Sequence, residues 1–246
     1  MDEGRIRHIA RYLVEGHAHH GRREGDAFVR LSAPPWLGGR ETGARDAAAA
    51  VRLLPPVTPG KIVCVGLNYR AHIAESASVV AASGEAVRYP PGVERLDPEG
   101  ELGVVIGRRA RAVTVDAAPV YVAGLTCFND VSARDYQRRD GQWTRAKGFD
   151  TFAPLGPWVA VGLAPGHLQV ECRVNGEVRQ RGDTADLLFP VPFLVSFISR
   201  VMTLEPGDVI ATGTPAGVAP VFPGDTIEVE VEGVGVLVNR VEKGDA

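Results

Sequence analysis

Five segments of this 246-residue chain carry side chains whose types and spacing could do chemistry. In Asp97-Pro98-Glu99-Gly100-Glu101, two carboxylates stand two residues apart at the mouth of the apolar run Leu102-Gly103-Val104-Val105-Ile106. Strand geometry sends alternate side chains to one face, so Glu99 and Glu101 share a face. Like charges held that close are costly unless a cation lies between them. From spacing alone the pair is either a solvated strand end or part of a cation site. The second segment, Asn129-Asp130-Val131-Ser132-Ala133-Arg134-Asp135-Tyr136-Gln137, follows an apolar run ending at Phe128. An acid emerging there could complete a three-carboxylate set, and all-oxygen ligands suit Mg²⁺ or Mn²⁺ with water and substrate in the remaining positions. Asp135 reads as the partner of a neighbouring arginine.

The third segment is Gly66-Leu67-Asn68-Tyr69-Arg70-Ala71-His72-Ile73-Ala74-Glu75. A helix after Asn68 would set His72 and Glu75 three apart on one face, where a carboxylate raises the basicity of an imidazole and orients it as a general base. A surface pair is the alternative. The fourth, Gly141-Gln142-Trp143-Thr144-Arg145-Ala146-Lys147-Gly148-Phe149-Asp150, mixes aromatics, cations and glycines as no simple helix or strand requires. The fifth, Thr212-Gly213-Thr214-Pro215-Ala216-Gly217, offers backbone amides and a hydroxyl to an anionic group. Either of the last two could also be a structural loop. His17, His19 and His20 match no metal-ligand spacing and read as a solvated turn.

The elements that must position these residues are mainly β. Residues 1–55 form a small N-terminal α/β region: a strand over Ile6 to Val14, a charged turn over Arg22 to Asp26, an alternating strand over Ala27 to Leu31, and a short Ala-rich helix over Asp46 to Leu54. The Pro-rich stretch Leu54 to Gly60 is a stiff linker, and residues 56–246 form the domain that holds the chemistry. Lys61–Gly66, Leu102–Gly107 and Tyr121–Phe128 are short buried strands, the second continued by the alternation of Arg109 to Val113. Val170 to Arg179 is a hairpin whose Asn175-Gly176 turn supplies positive φ. Pro190 to Thr203 is the strongest helix, with Phe193, Phe197, Ile198 and Val201 as the stripe expected to face the core. Asp225 to Val238 is a terminal hairpin.

Composition narrows the partners. Thirty acids against 27 basic residues give a net charge of −3, which argues against a dedicated nucleic-acid binder. No apolar run reaches the length of a membrane span, the N-terminus lacks a signal-peptide core, and three unclustered cysteines fit a reducing cytoplasm. The cations divide into 24 Arg and only three Lys. Where Arg is the default, each Lys raises the question of why Arg would not serve. Lys61 and Lys243 read as ordinary surface residues, whereas Lys147 lies in the densest polar-aromatic segment.

Together, the ordered motifs Gly-Leu-Asn-Tyr-x-x-His-x-x-Glu, Glu-Gly-Glu-Leu, Asn-Asp-Val-Ser-Ala-Arg-Asp-x-Gln, Trp-Thr-Arg-x-Lys-x-Phe-Asp-Thr-Phe-x-Pro-Leu-Gly-Pro and Thr-Gly-Thr-Pro-x-Gly resemble the fumarylacetoacetate hydrolase family, and within it the bacterial 2-hydroxyhepta-2,4-diene-1,7-dioate isomerase group. The resemblance covers about residues 60 to 240. It implies an α+β, mainly β fold, a mixed sandwich or roll with short helices, usually dimeric. It implies that Glu99, Glu101 and Asp130 ligate a catalytic Mg²⁺ or Mn²⁺, and that Lys147 lies close to metal and substrate. Gln137, Thr214 and Gly213 would contact substrate, and His72 with Glu75 would form an acid/base dyad on a lid. The implied reaction is isomerisation of a 2-oxo or 2-hydroxy dicarboxylate through a stabilised enolate in aromatic-acid breakdown. Acylpyruvate or fumarylpyruvate hydrolysis and oxaloacetate decarboxylation are alternatives on the same site.

One departure matters. Relatives continue from the His/Glu helix through a longer stretch and a Phe-x-Lys-Pro strand, and Glu75 to Glu85 is too short for both. Either the lid is shortened or a segment is missing there; loss of a core strand should damage the fold, which favours a missing segment.

Overall fold

The computed structural model describes residues 6–65, 68 and 80–245. The N-terminal region is a meander of β1 (Arg7–Val14), β2 (His17–Glu24), β3 (Ala27–Leu31) and β4 (Glu41–Ala47), with β5 (Arg52–Leu54) laid back along β1. Two expectations fail here. The histidines and Arg22–Glu24 lie in β2 rather than in turns, because β2 pairs with both β1 and β3. The Ala-rich stretch forms the end of β4, a single 3₁₀ turn over Ala48–Ala50 and β5, so tertiary pairing overrides the helix propensity of alanine. Tyr12, fully buried, donates to Asp46, which also takes two bonds from Arg30 and ties β4 to β1.

Next come β6 (Ile62–Cys64), β7 (Val80–Ala81), β8 (Val87–Tyr89), β9 (Leu96–Asp97) and β10 (Gly100–Ile106). They are followed by β11 (Val122–Asn129), β12 (Ser132–Ala133), the helices α1 (Arg134–Asp140) and α2 (Thr144–Lys147), and β13 (Ala153–Val161). The chain closes with β14 (Gln169–Val174), β15 (Glu177–Asp183), α3 (Val191–Val201), β16 (Val209–Ala211), β17 (Thr226–Val231) and β18 (Gly235–Lys243). Arg109 to Val113 forms no strand; Ala110 makes only an isolated bridge to Leu204. A strand does stand between residue 75 and the acidic motif: β7 pairs parallel with β13, Val80 opposite Ala153.

One large sheet runs in the order β4-β3-β2-β1-β13-β11-β10-β16-β6, and a second in the order β15-β14-β17-β18-β8. They pack face to face. Leu102, Val104 and Ile106 of β10 with Leu125 and Cys127 of β11 meet Val170, Cys172, Ile227, Val229 and Leu237 of the second sheet. The opposite face of β10 and β11 is also covered, with Val105 and Phe128 packing on Val57, Ile62, Val159 and Val209. Burial on both faces explains why β10 reads as a continuous apolar run. The β14–β15 turn has the expected left-handed residues, Asn175 at φ 53° and Gly176 at φ 79°.

Of the stripe on α3 only Ile198 is core. Phe193, Phe197 and Val201 are 37, 57 and 61 % exposed, while Val191, Leu194, Val195 and Ile198 are buried. Both sides of the helix are apolar, and Phe189, Phe193 and Phe197 stack on one another along the outer side. Lys61 is not an ordinary surface residue either: it pairs with the buried Asp208, which also accepts from the Lys61 and Glu205 amides. Among the described residues no helix is long and apolar enough to cross a membrane.

Candidate metal centre

The site begins with strand register. Gly100 pairs with Asn129 and Glu101 with Phe128, which sets Glu99 opposite Asp130, and the Asp130 amide donates to Glu99 O at 2.9 Å. Cross-strand neighbours project to the same face, so Glu99, Glu101 and Asp130 converge. Gly100, between the two glutamates, faces the other way; a Cβ there would lie 2.9 Å from Cys172 Cβ, so glycine is what lets the second sheet close against the site. One ligand oxygen from each of the three carboxylates lies within 4.8 Å of the others.

Glu99, Glu101, Asp130 and Lys147 are respectively 9, 2, 2 and 4 % exposed. Lys147, at the end of α2, donates to Glu99 Oε2 at 2.8 Å and to Asp130 Oδ2. The aromatics of its segment are packing that seats this short helix. Tyr136 of α1 meets Phe149 edge-on at 5.4 Å, Phe149 meets Phe152, and Arg145 stacks on Tyr136 while pairing with Asp140.

Two further residues belong to the constellation. Arg134 donates to Asp97 Oδ2 at 2.8 Å, Glu99 Oε1 at 2.6 Å and Gln137 Oε1 at 2.9 Å. The ladder of β12 on β9, with Ser132 opposite Asp97, places it there. Gln180, on β15 and 1 % exposed, accepts from the Gly100 amide at 3.0 Å. Its amide group donates to Thr214 Oγ1 and Pro215 O, both at 2.7 Å. Gln180 thus clamps the Glu99–Glu101 segment to the loop after β16. In that loop Gly213, at φ +99°, would place a Cβ 2.9 Å from Val65 O, and its amide donates to Glu101 Oε2 at 2.8 Å. Thr214 donates its hydroxyl proton to Gly100 O. Arg134 lies within the Asn129–Gln137 segment that carries Asp130, whereas nothing in the local sequence around Gln180 marks it.

The charges are unevenly matched. For Glu99 burial works to raise the pKa, but Lys147 and Arg134 outweigh it and hold the carboxyl below its usual range. Glu101 is pushed well above that range by burial and by the neighbouring Asp130 and Glu99 charges. Asp130 is raised by burial, with Glu99 adding to the rise and Lys147 opposing it. Burial would lower the Lys147 pKa, yet Asp130 and Glu99 raise it above the ordinary amine value. Asp130 Oδ1 is buried and accepts no hydrogen bond among the described residues. Three converging carboxylates, one with an orphaned oxygen and one whose charged form is disfavoured by its like-charged neighbours, fit a divalent cation with hard oxygen preference.

The structure therefore brings together Glu99, Glu101, Asp130, Lys147, Gly213 and Thr214, with Gln137 held at the edge by Arg134. His72 and Glu75 lie outside the described residues. Asp135 pairs with no arginine among the described residues; its Oδ1 is buried without a hydrogen-bond partner. A cleft of about 400 Å³ opens from Glu99 between α1 and the 214–218 loop.

The fumarylacetoacetate hydrolase C-terminal family model matches residues 61–242, and a second, described as Rv2993c-like, N-terminal, matches residues 7–56. The 2-hydroxyhepta-2,4-diene-1,7-dioate isomerase of Mycobacterium marinum superposes with a TM-score of 0.94 at 38 % identity, covering 98 % of this chain and 100 % of that one. The maleylpyruvate hydrolase of Sphingobium sp. SYK-6, in complex with manganese(II) and pyruvate, superposes with a TM-score of 0.82 at 27 % identity, covering 97 % of this chain and 100 % of that one. The mitochondrial oxaloacetate tautomerase Fahd2a of Rattus norvegicus is 39 % identical over 217 residues, 78 % of this chain and 69 % of its own length.

Proposed function

The chain belongs to the fumarylacetoacetate hydrolase family, and from that premise we propose that it is a divalent-metal-dependent isomerase of 2-hydroxyhepta-2,4-diene-1,7-dioate or a similar 2-oxo or 2-hydroxy dicarboxylate, a homodimer of aromatic-compound catabolism. The buried Glu99–Glu101–Asp130 cluster, with Asp130 Oδ1 left without a partner, carries this proposal. The three carboxylates would hold one Mg²⁺ or Mn²⁺, which when bound supplies Lewis-acid stabilisation of negative charge developing on the substrate's 2-oxygen.

The chain's own residues do the rest. Lys147 keeps its ammonium form at neutral pH, because its pKa is raised, and adds a compact positive charge beside that oxygen. A planar guanidinium would crowd the position, which accounts for lysine in an arginine-rich chain. Gln137, steadied by Arg134, presents its amide N–H₂ to the substrate. The Thr214 hydroxyl proton is already donated to Gly100 O, so the loop grips a substrate carboxylate through the Thr214 backbone N–H, beside the hydroxyl rather than through its proton. His72, oriented by Glu75, moves the proton between carbon positions of the dienol.

The likeness to the Mycobacterium marinum isomerase over nearly the whole of both chains supports isomerisation. A second reading, tautomerisation of oxaloacetate, is favoured by the rat relative and is the same proton transfer on a shorter diacid. Assaying the hydroxydienedioate, oxaloacetate, fumarylpyruvate and acetylpyruvate with Mg²⁺ or Mn²⁺ separates the possibilities. The proposal expects the dienedioate to be turned over fastest, and only with metal. Carbon–carbon cleavage of the acylpyruvates as the fastest reaction would replace isomerase by hydrolase, and turnover of none would overturn the proposal.

A further inference from the structure

Helix α1 presents Arg134, Gln137 and Arg138 at spacings of three and four residues, hence on one side. All three line the cleft that opens from Glu99. Their commitments differ. Arg134 is held by Asp97 and Glu99, Arg95 at the same cleft is held by Asp97, and Arg139 and Arg145 pair with Asp140. Arg138 pairs with no carboxylate among the described residues, so its guanidinium is the cation the cleft leaves for a ligand. It stands one helical turn on from Arg134, about 6 Å along the helix. The facing wall contributes the apolar side chains of Pro215, Ala216 and Val218. The cleft therefore runs from a cation-binding end, past the polar Gln137 and Thr214, along an apolar side, to one uncommitted arginine.

We propose that Arg138 is the specificity-determining residue for the far carboxylate of a long-chain dicarboxylate. The 2-oxo-acid head would be held at Glu99, Glu101 and Asp130, the carbon chain would lie along Pro215 and Val218, and the distal carboxylate would meet the Arg138 guanidinium. The inference rests on the head-group placement given under the proposed function. It goes further by naming what reads chain length: a seven-carbon diacid reaches one turn out along α1, and a four-carbon diacid does not.

The test compares 2-oxoheptanedioate with 2-oxoheptanoate, which share head and chain length and differ only in the distal carboxylate. Each is titrated calorimetrically into Mn²⁺-loaded wild type and Arg138→Leu, a variant that keeps an apolar stem at an exposed position. Wild type is expected to favour the diacid by about tenfold or more, as a charge-assisted hydrogen bond permits. Arg138→Leu should lose that preference and bind the monoacid within twofold of wild type. The wild-type preference should also shrink as salt is raised, because the pair is near solvent. Equal affinities in wild type, or a preference that survives Arg138→Leu, overturns the assignment. Binding of neither acid by wild type overturns the head-group placement itself, and this inference with it.

Discussion

Replacing Lys147 by methionine removes a buried charge while keeping most of the side-chain volume, so its effect isolates the electrostatics of the site. In the wild type the ammonium donates to Glu99 at 2.8 Å and to Asp130. Without it Glu99 retains Arg134, but Asp130 retains no ion-pair partner among the described residues. Removing one partner of a buried ion pair costs about 3–5 kcal/mol. For a chain of this size each kcal/mol moves the melting temperature by about 2–4 °C. Calorimetry in EDTA should therefore show Lys147→Met melting roughly 6–20 °C below wild type. Saturating Mn²⁺ should raise the variant's melting temperature by more than the wild type's, since the ion meets an Asp130 carboxylate left without its ion-pair partner. Lys147→Arg should recover part of the stability but not the turnover, because charge returns without the compact geometry. A Lys147→Met melting temperature within about 2 °C of wild type in EDTA, well short of that range, would refute the assignment of Lys147 as the counter-charge of the cluster.

Three further outcomes are expected. Gln180→Met strands the Gly100 N–H and Pro215 O, each worth about 1–3 kcal/mol when buried, so it should lower stability and raise KM more than it lowers kcat; equal scaling of both would show that the clamp does not act on substrate binding. Burial pushes the Cys127 and Cys172 thiols up to about 12. A raised folded pKa makes their contribution complete below pH 9 and progressively lost between about pH 9 and 12, at about 1.4 kcal/mol per unit for each thiol; rapid iodoacetamide labelling of the native protein at pH 8 would contradict this. Leu194→Ala should cost about 2–5 kcal/mol in urea unfolding and Phe197→Ala about 0.5 kcal/mol or less, the reverse of what the Phe stripe of α3 suggests.

Much of the site was legible because it obeys short-range rules. Period two alone sets Glu99 and Glu101 on one face, and the motif carrying Asp130 follows a buried strand whose register completes the set. The hairpin at Asn175-Gly176 follows from turn chemistry in the same way. What failed depended on partners distant in sequence. Both faces of α3 are apolar, and only packing decides that Phe197 is exposed while Leu194 and Ile198 are buried. The stretch after Asp46 is strand at its two ends, Ala47 and Arg52–Leu54, because β3 and β1 pair with them, with a 3₁₀ turn between. Gln180 sits in an ordinary-looking hairpin, and its role exists only because Gly100, 80 residues earlier, and Thr214, 34 residues later, fold against it.

The central claim is that Glu99, Glu101 and Asp130 form one divalent-metal centre on which turnover depends. EDTA-stripped protein titrated with Mn²⁺, followed by calorimetry and by turnover of 2-hydroxyhepta-2,4-diene-1,7-dioate in the same samples, tests it directly. Wild type should bind one ion per chain and gain activity in proportion, while the near-isosteric Glu101→Gln should bind at least a hundredfold more weakly and stay inactive. Stripped wild type that turns over at full rate, or Glu101→Gln that binds Mn²⁺ as tightly as wild type, would contradict it.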